Sequence, residues 1–394
     1  MTWIAPSNDG DNALAAARRA LRGANNVLRT RYPLFFLGLP VARGEIPVFI
    51  YHDVETESFA GDLEFLHTNG YRTISLDEYL TASSRKGTRG DKRVLLTFDD
   101  ARRSFYEVAL PVLGTFNAHA TLFVPSYWME PPAITGSVLF MNWEQVRACA
   151  ASGYVDVQSH AHRHALVATS NELVGFASPR LIARHDVYDW PMRRTAAGEG
   201  IAACKDLAAC KGLGPPPLGT PVYRAAPLLS AKCRFLENTA LATACVQRVS
   251  ELGGEAFFNL SDWSTWLRRF HDTRARALRG EFMLQEGIDR LVRSELELAR
   301  EQFRVQLGYA PTSLAYPWLL GTRNSLDCAR QFGFRNAFGV ALDYRRARHE
   351  HLPLPVFGRL RSDWLPLLPG RGRASFFSIA ARKLIHAQGR PLAH

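Results

Sequence analysis

Two short segments carry most of the side chains capable of chemistry. In LLTFDD, Asp99 and Asp100 directly follow a continuous apolar run. Adjacent side chains leaving a strand point to different sides, so one carboxylate can meet a metal ion while its neighbour faces a substrate. The same pair can equally cap a helix, where aspartate is favoured. In VQSHAHRH, His160, His162 and His164 crowd together. The spacing of His160 and His164 suits one metal ion if the segment is helical or tightly turned, with His162 pointing away. A carboxylate and two imidazoles make a three-ligand site for a divalent ion, with room left for water and substrate.

The elements that must position these residues alternate along the chain. Strands are expected at 46–51, 71–75, 94–98, 120–124, 154–158, 313–316 and 336–340. Helices are expected at 59–69, from 76, and at 104–116, 142–152, 284–307 and 323–332, several with apolar residues at helical spacing. The run VLLTF (94–98) is continuously apolar, as in a strand buried on both faces. This β–α alternation predicts a parallel sheet or barrel, in which active sites gather at the carboxyl ends of the strands. Asp99, Asp100 and His160 stand at such ends. The stretch 168–282, with its Pro-rich 212–223, breaks the rhythm and reads as an insertion. Residues 1–45 form an N-terminal extension with a helix at 13–31, and 371–394 a basic amphipathic helix.

Length and charge narrow the function classes. The chain has 394 residues, 47% of them apolar and 22% charged, an ordinary soluble composition. Of its 48 basic residues 42 are arginine, spread evenly, for a net charge of +11. With no basic run and no nucleic-acid module, nucleic acid is not the expected partner. Attraction to acidic glycans, phosphorylated sugars or anionic head groups fits the charge better. The six cysteines form no CxxC pair, which suits a reducing compartment. No signal-peptide core precedes residue 32, and the apolar stretch 32–42 is too short to span a bilayer. The expected address is cytoplasmic, with peripheral contact at the inner membrane left open.

Read in order, YHDV, LLTFDDARRSF, HATLFVP, VQSHAHRHAL and SLAYPWLLG resemble the polysaccharide deacetylases, the NodB-homology domain of carbohydrate esterase family four. The likeness covers roughly 46–167 and 284–345. It implies an α/β fold of the distorted (β/α)7 barrel type, here carrying a large insertion within 46–370. It also implies a divalent metal, commonly zinc, on Asp100, His160 and His164, with Asp99 as the general base. The metal lowers the pKa of bound water and polarises an acetyl carbonyl, and Asp99 takes the proton. The Trp318 backbone N–H would meet the oxyanion. For the acid, His52 in FIYHDV resembles the arrangement in poly-N-acetylglucosamine deacetylases.

The pattern also departs from the family. Ala101 stands where glycine is usual, and the third motif, AYPW (315–318), lacks the arginine that orients the base. Arg224 can supply that guanidinium to Asp99 or to an acidic substrate group, or it can be one more surface arginine. Asp363-Trp364 resembles a late family motif, but its flanks differ and the match reads as chance. The expected function is a metal-dependent hydrolase removing an acetyl group from an N-acetylated saccharide, in lipid-linked, soluble or acidic form. The alternatives are an O-deacetylase or other small-acyl hydrolase, and a non-catalytic glycan-binding module.

Overall fold

Continuous apolar runs become the buried parallel strands of one curled sheet. The computed structural model describes residues 33–83, 92–131, 135, 137–193, 213–339, 352–376 and 378–379. The helix expected at 13–31 and most of the tail helix expected at 371–394 lie outside the described residues. Along the chain the strands are β1 (Val48–Tyr51), β2 (Arg72–Thr73), β3 (Arg93–Phe98), β4 (Ala120–Val124), β5 (Val155–Ser159), β6 (Leu166–Phe176) and β7 (Pro221–Pro227). They continue as β8 (Arg234–Leu236), β9 (Glu281–Met283), β10 (Ser313–Ala315), β11 (Asn336–Phe338), β12 (Val356–Phe357) and β13 (Leu360–Arg361).

Among the described residues, one compact unit comprises those up to Arg163 and those from Leu296 onward. Its sheet runs β12-β11-β10-β5-β4-β3-β1-β13, with β2 also paired to β3, and every pairing is parallel. All seven expected strands are in it. Two short strands are added, β12 and β13, from a stretch assigned to no element in the sequence. They form the two ends of the strand order, yet only Gly358 and Arg359 separate them along the chain. Three residue steps reach at most about 11 Å, so the sheet must curl until its ends nearly meet. The expected barrel class stands, in a half-closed form.

Helices cover this sheet through apolar faces. Thr56–Thr68 buries Phe59, Leu63 and Leu66 at helical spacing. Trp143–Ala151 opens with a capping box in which Asn142 and Gln145 each bond the other's backbone N–H. The helix expected at 104–116 begins instead as a π-turn over Phe105–Ala109, before Leu110–Thr115 continues as α. Pro111 lacks the N–H that an α ladder would donate four residues back, and the wider turn absorbs the break.

The second unit is His164–Glu295 and contains the stretch 168–282 that the sequence set apart. Strands β6 and β7 pair antiparallel, as do β8 and β9. Helices Thr239–Glu251 and Trp263–Ala275 bring Leu241, Cys245, Val249 and Leu267 onto Leu173, Phe176, Tyr223 and Phe235. The insertion thus has a buried cluster of its own.

Candidate metal centre and its base

The sheet unit gathers acidic and imidazole groups at adjacent strand ends. Strand β3 lies between β1 and β4, in the register Tyr51↔Phe98 and Phe98↔Leu122. The Asp99 N–H extends the first pairing by donating to Tyr51 O (3.0 Å). The chain then turns sharply, with Asp100 at φ 70° and Ala101 at φ 50°. Left-handed backbone at two non-glycine residues in succession is uncommon and sends the two carboxylates in different directions. It also accounts for the glycine usual at position 101, which here is a fully buried alanine. Both carboxylates are 2% exposed.

Strand β5 ends beside β4, and His160 N–H donates to Val124 O (2.9 Å). Residues 161–164 form a tight loop rather than a helix, with Ala161 at φ 63° and His164 at φ 52°. Three consecutive carbonyls of this loop are held by the turn after β4. Ser126 N–H donates to Ala161 O (3.3 Å), Tyr127 N–H to His162 O (2.9 Å), and Trp128 Nε1–H to Arg163 O (2.7 Å). The loop is therefore fixed by its backbone, and its side chains are aimed by that fixation.

His160 Nδ1 lies 2.9 Å from Ala315 O. A carbonyl can only accept, so Nδ1 carries the proton and Nε2 presents its lone pair. That Nε2 stands 3.5 Å from both Asp99 Oδ2 and Asp100 Oδ1. Burial pulls the His160 imidazole down, but the Asp99 and Asp100 carboxylates outweigh it and hold its pKa above the ordinary value. His162 turns elsewhere: its Nδ1 is 2.8 Å from Ser126 Oγ. Burial, followed by the Arg163 charge, pushes its pKa well down and keeps it neutral.

Asp100, His160 and His164 each offer one ligand atom, and all three atoms lie within 4.8 Å of one another. All three residues are buried. Ligand atoms around one zinc sit about 3.3 Å apart, given zinc–ligand distances of about 2.0–2.1 Å. The group needs only a small inward movement to hold a cation. One carboxylate oxygen with two imidazole nitrogens suits zinc and similar divalent ions. Arg102 flanks the site, with Nη2 3.5 Å from Asp100 Oδ2 and its guanidinium over the Phe140 ring.

The guanidinium on Asp99 comes from a residue that sequence reasoning missed. Arg359 Nη1 donates to Asp99 Oδ1 (2.6 Å) and Nη2 to Oδ2 (2.8 Å), a two-pronged fork. Nη1 also approaches Thr97 Oγ1 (3.5 Å), and the guanidinium lies over the Phe123 ring. Arg359 is wholly buried. It sits between β12 and β13, where the two ends of the curled sheet approach. Its only sequence signal is an arginine set in the apolar VFGRL (356–360), four residues before the Asp363-Trp364 pair set aside above.

Arg224 pairs within its own strand pair. Arg224 Nε donates to Glu172 Oε2 (2.5 Å) and Nη2 donates to Glu172 Oε1. Its guanidinium is satisfied by a carboxylate on the partner strand of its own antiparallel pair, β6 and β7. His52 directly follows β1 and is half-buried; the register of β1 with β3 sets it level with Asp99. Trp318 lies three residues beyond the carbonyl that holds His160, at φ 51° with Leu319 at φ 61°. Six of the seven positive-φ non-glycine residues among those described fall at 100, 101, 161, 164, 318 and 319. Strain is thus concentrated in the loops that carry the proposed chemistry.

Comparison with known proteins bears out the resemblance read from the motifs. Residues 86–175 match the family model described as Polysaccharide deacetylase. Over 119 residues the chain is 29% identical to the poly-beta-1,6-N-acetyl-D-glucosamine N-deacetylase of Escherichia coli (strain K12). That match spans 28% of this chain and 18% of the relative. Among solved structures, a de-N-acetylase from Aggregatibacter actinomycetemcomitans aligns with a TM-score of 0.47 at 16% identity, covering 86% of this chain and 99% of that one. The BpsB deacetylase domain from Bordetella bronchiseptica aligns with a TM-score of 0.46 at 16% identity, covering 82% and 98%.

Proposed function

We propose, from the premise that residues 86–175 are a polysaccharide deacetylase segment, that this chain is a metal-dependent hydrolase removing the acetyl group from an N-acetylated saccharide. The observation that carries the reading is the buried Arg359 fork on Asp99, beside a second carboxylate and two imidazoles. Asp99 is matched to the Arg359 guanidinium, while Asp100 stands with one oxygen toward His160 Nε2 and the other toward Arg102.

In this reading Asp100, His160 and His164 hold the divalent ion, zinc being the best match to the donor set. When bound, such an ion lowers the pKa of a water and polarises a carbonyl. Asp99 takes the proton of the attacking water. The Arg359 fork fixes the plane of its carboxylate while leaving each oxygen a further lone pair for that proton. His52 gives a proton to the leaving amine; what supports it is the β1–β3 register, level with Asp99. The Trp318 backbone N–H donates to the oxyanion, and the constrained turn that carries it supports this role.

The substrate we propose is a glycan bearing N-acetylglucosamine, following the activity named for the Escherichia coli relative. A cytoplasmic address with peripheral inner-membrane contact, and a lipid-linked or acidic form of the substrate, remain part of the proposal. The net charge of +11 supports an anionic surface or substrate. The reading as a non-catalytic glycan-binding module rested on the missing arginine and the altered third motif; the Arg359 fork on Asp99 supports the catalytic reading over it. The test is acetate release from N-acetylated and O-acetylated glucosamine oligomers side by side. Release from the N-acetyl oligomer, lowered about 10²- to 10⁴-fold by Asp99→Asn, is the expected result. Release from the O-acetyl oligomer alone would move the assignment to an O-deacetylase, and none from either would overturn it.

A further inference from the structure

We infer that Tyr188, from the inserted stretch, is a positioning residue that sets the ring plane of the metal ligand His164. The inference rests on the metal-site reading above. Its chain logic begins two residues after His164, where β6 starts at Leu166. Leu166 forms a parallel bridge with Pro191, and Met192 N–H donates to Leu166 O (2.8 Å). This pairing runs the 188–192 segment alongside the chain leaving His164. Just before it, Val187–Asp189 forms a 3₁₀ turn held by a capping box. Asp186 N–H donates to Asp189 Oδ2 (2.9 Å), and Val187 N–H donates to Asp186 Oδ1 (2.6 Å).

The turn so fixed delivers the Tyr188 ring onto the His164 imidazole. Their centroids are 4.1 Å apart with the planes inclined by 31°. Aromatic pairs usually sit about 4.5–7 Å apart, so this contact is close, and the rings meet tilted rather than edge-on. Tyr188 is 2% exposed and His164 5%. This packing matters because the lone pairs of an imidazole lie in the ring plane. A partner on the face fixes that plane without covering a nitrogen.

The two imidazole ligands are thus aimed by different devices. His160 is held through Nδ1 to the Ala315 carbonyl, a hydrogen bond of the kind common behind metal-bound histidines. His164 is held by an aromatic face. The difference follows from the backbone: His164 sits at φ 52°, a conformation that persists only where its surroundings over-determine it. A ring bound to a cation also becomes electron-poor, and the face of an aromatic neighbour attracts positive charge.

The test is zinc affinity of the full chain, by competition with a chromogenic chelator, for the wild type, Tyr188→Phe and Tyr188→Leu. Phenylalanine keeps the ring face and is expected to bind within about twofold of wild type. Leucine keeps apolar volume without the face and is expected to weaken binding at least about 10-fold, in the range for outer partners of metal ligands. Its cobalt absorption spectrum should shift as well. Should Tyr188→Leu fail to fold by far-UV circular dichroism, Tyr188→Met replaces it with the same expectation, being unbranched and adaptable. Wild-type affinity in the leucine or methionine variant would overturn the inference and leave the metal site standing. A wild type that binds no zinc would overturn the metal-site reading and this inference with it.

Discussion

Replacing Arg359 with methionine removes a guanidinium and keeps most of the side-chain volume. Arg359 is 0% exposed and its partner Asp99 2%, so neither charge has water to fall back on. Two short hydrogen bonds, 2.6 and 2.8 Å, would be lost together. Hydrogen bonds to charged groups contribute about 1.5–3 kcal/mol each. Breaking a buried pair by deleting one partner costs about 3–5 kcal/mol, because the other charge stays buried alone. We expect Arg359→Met to lower unfolding free energy by about 3–5 kcal/mol, a large share of the roughly 5–15 kcal/mol typical of folded proteins. Arg359→Lys keeps the charge but not the fork and should lose about half as much. The assay is equilibrium urea unfolding at pH 7, followed by circular dichroism and tryptophan fluorescence. Adding Asp99→Asn to Arg359→Met should recover part of the loss, with a coupling of about 1–3 kcal/mol. A loss below about 1 kcal/mol for Arg359→Met, or no coupling, would refute the argument that this pair is a buried fork.

Other outcomes follow from single features. Arg224→Met should leave acetate release unaltered, since that guanidinium is spent on Glu172. Ala101→Gly should stabilise the protein by about 0.5–1 kcal/mol in thermal unfolding, because relief of left-handed alanine at φ 50° exceeds the added freedom of the unfolded chain. Gly321→Ala should destabilise by roughly 1–3 kcal/mol, as its Cβ would lie 2.4 Å from Tyr316 Cε1 on the AYPW turn. Asp62, which accepts from Tyr51 Oη–H (2.9 Å), is raised from 3.8 to about 6, mainly by burial and also by the Asp363 charge, against that hydrogen bond. The folded state therefore holds this proton more tightly than the unfolded one. Its contribution is fully present below pH 3.8 and is lost as pH rises through about 6. Asp62→Asn should flatten stability between those pH values and gain on the order of 1–2 kcal/mol at pH 8.

Particular residues explain what was legible in the sequence. Long or wholly apolar strands announced themselves: VLLTF and ATLFV are β3 and β4, and the groups just past β3 and β5 were the ones to inspect. Local spacing also served, since His160 and His164 lie in one loop and Asp100 follows a strand of the same sheet, with β4 between them. Strands β12 and β13 were illegible because two residues apiece carry no periodicity, and only the closing of the sheet makes them strands. Arg359 was hidden for a related reason. It meets Asp99 across 260 positions of sequence, and nothing local sets it apart from 41 other arginines. Telling Arg359 from Arg224 as the partner of Asp99 requires knowing which strands form the seam. Tyr188 was equally silent, being brought to His164 by the pairing of Pro191 with Leu166. The π-turn at Phe105–Ala109 could have been anticipated from Pro111, whose effect is local.

The proposed metal centre places one divalent ion on Asp100, His160 and His164, beside the Asp99–Arg359 pair. The most direct measurement is a crystal of the zinc-loaded chain with diffraction recorded on both sides of the zinc absorption edge. A single anomalous peak per chain is expected, about 2.0–2.2 Å from one Asp100 oxygen and one nitrogen each of His160 and His164. No peak there at stoichiometric zinc, or a peak held by other residues, would contradict it.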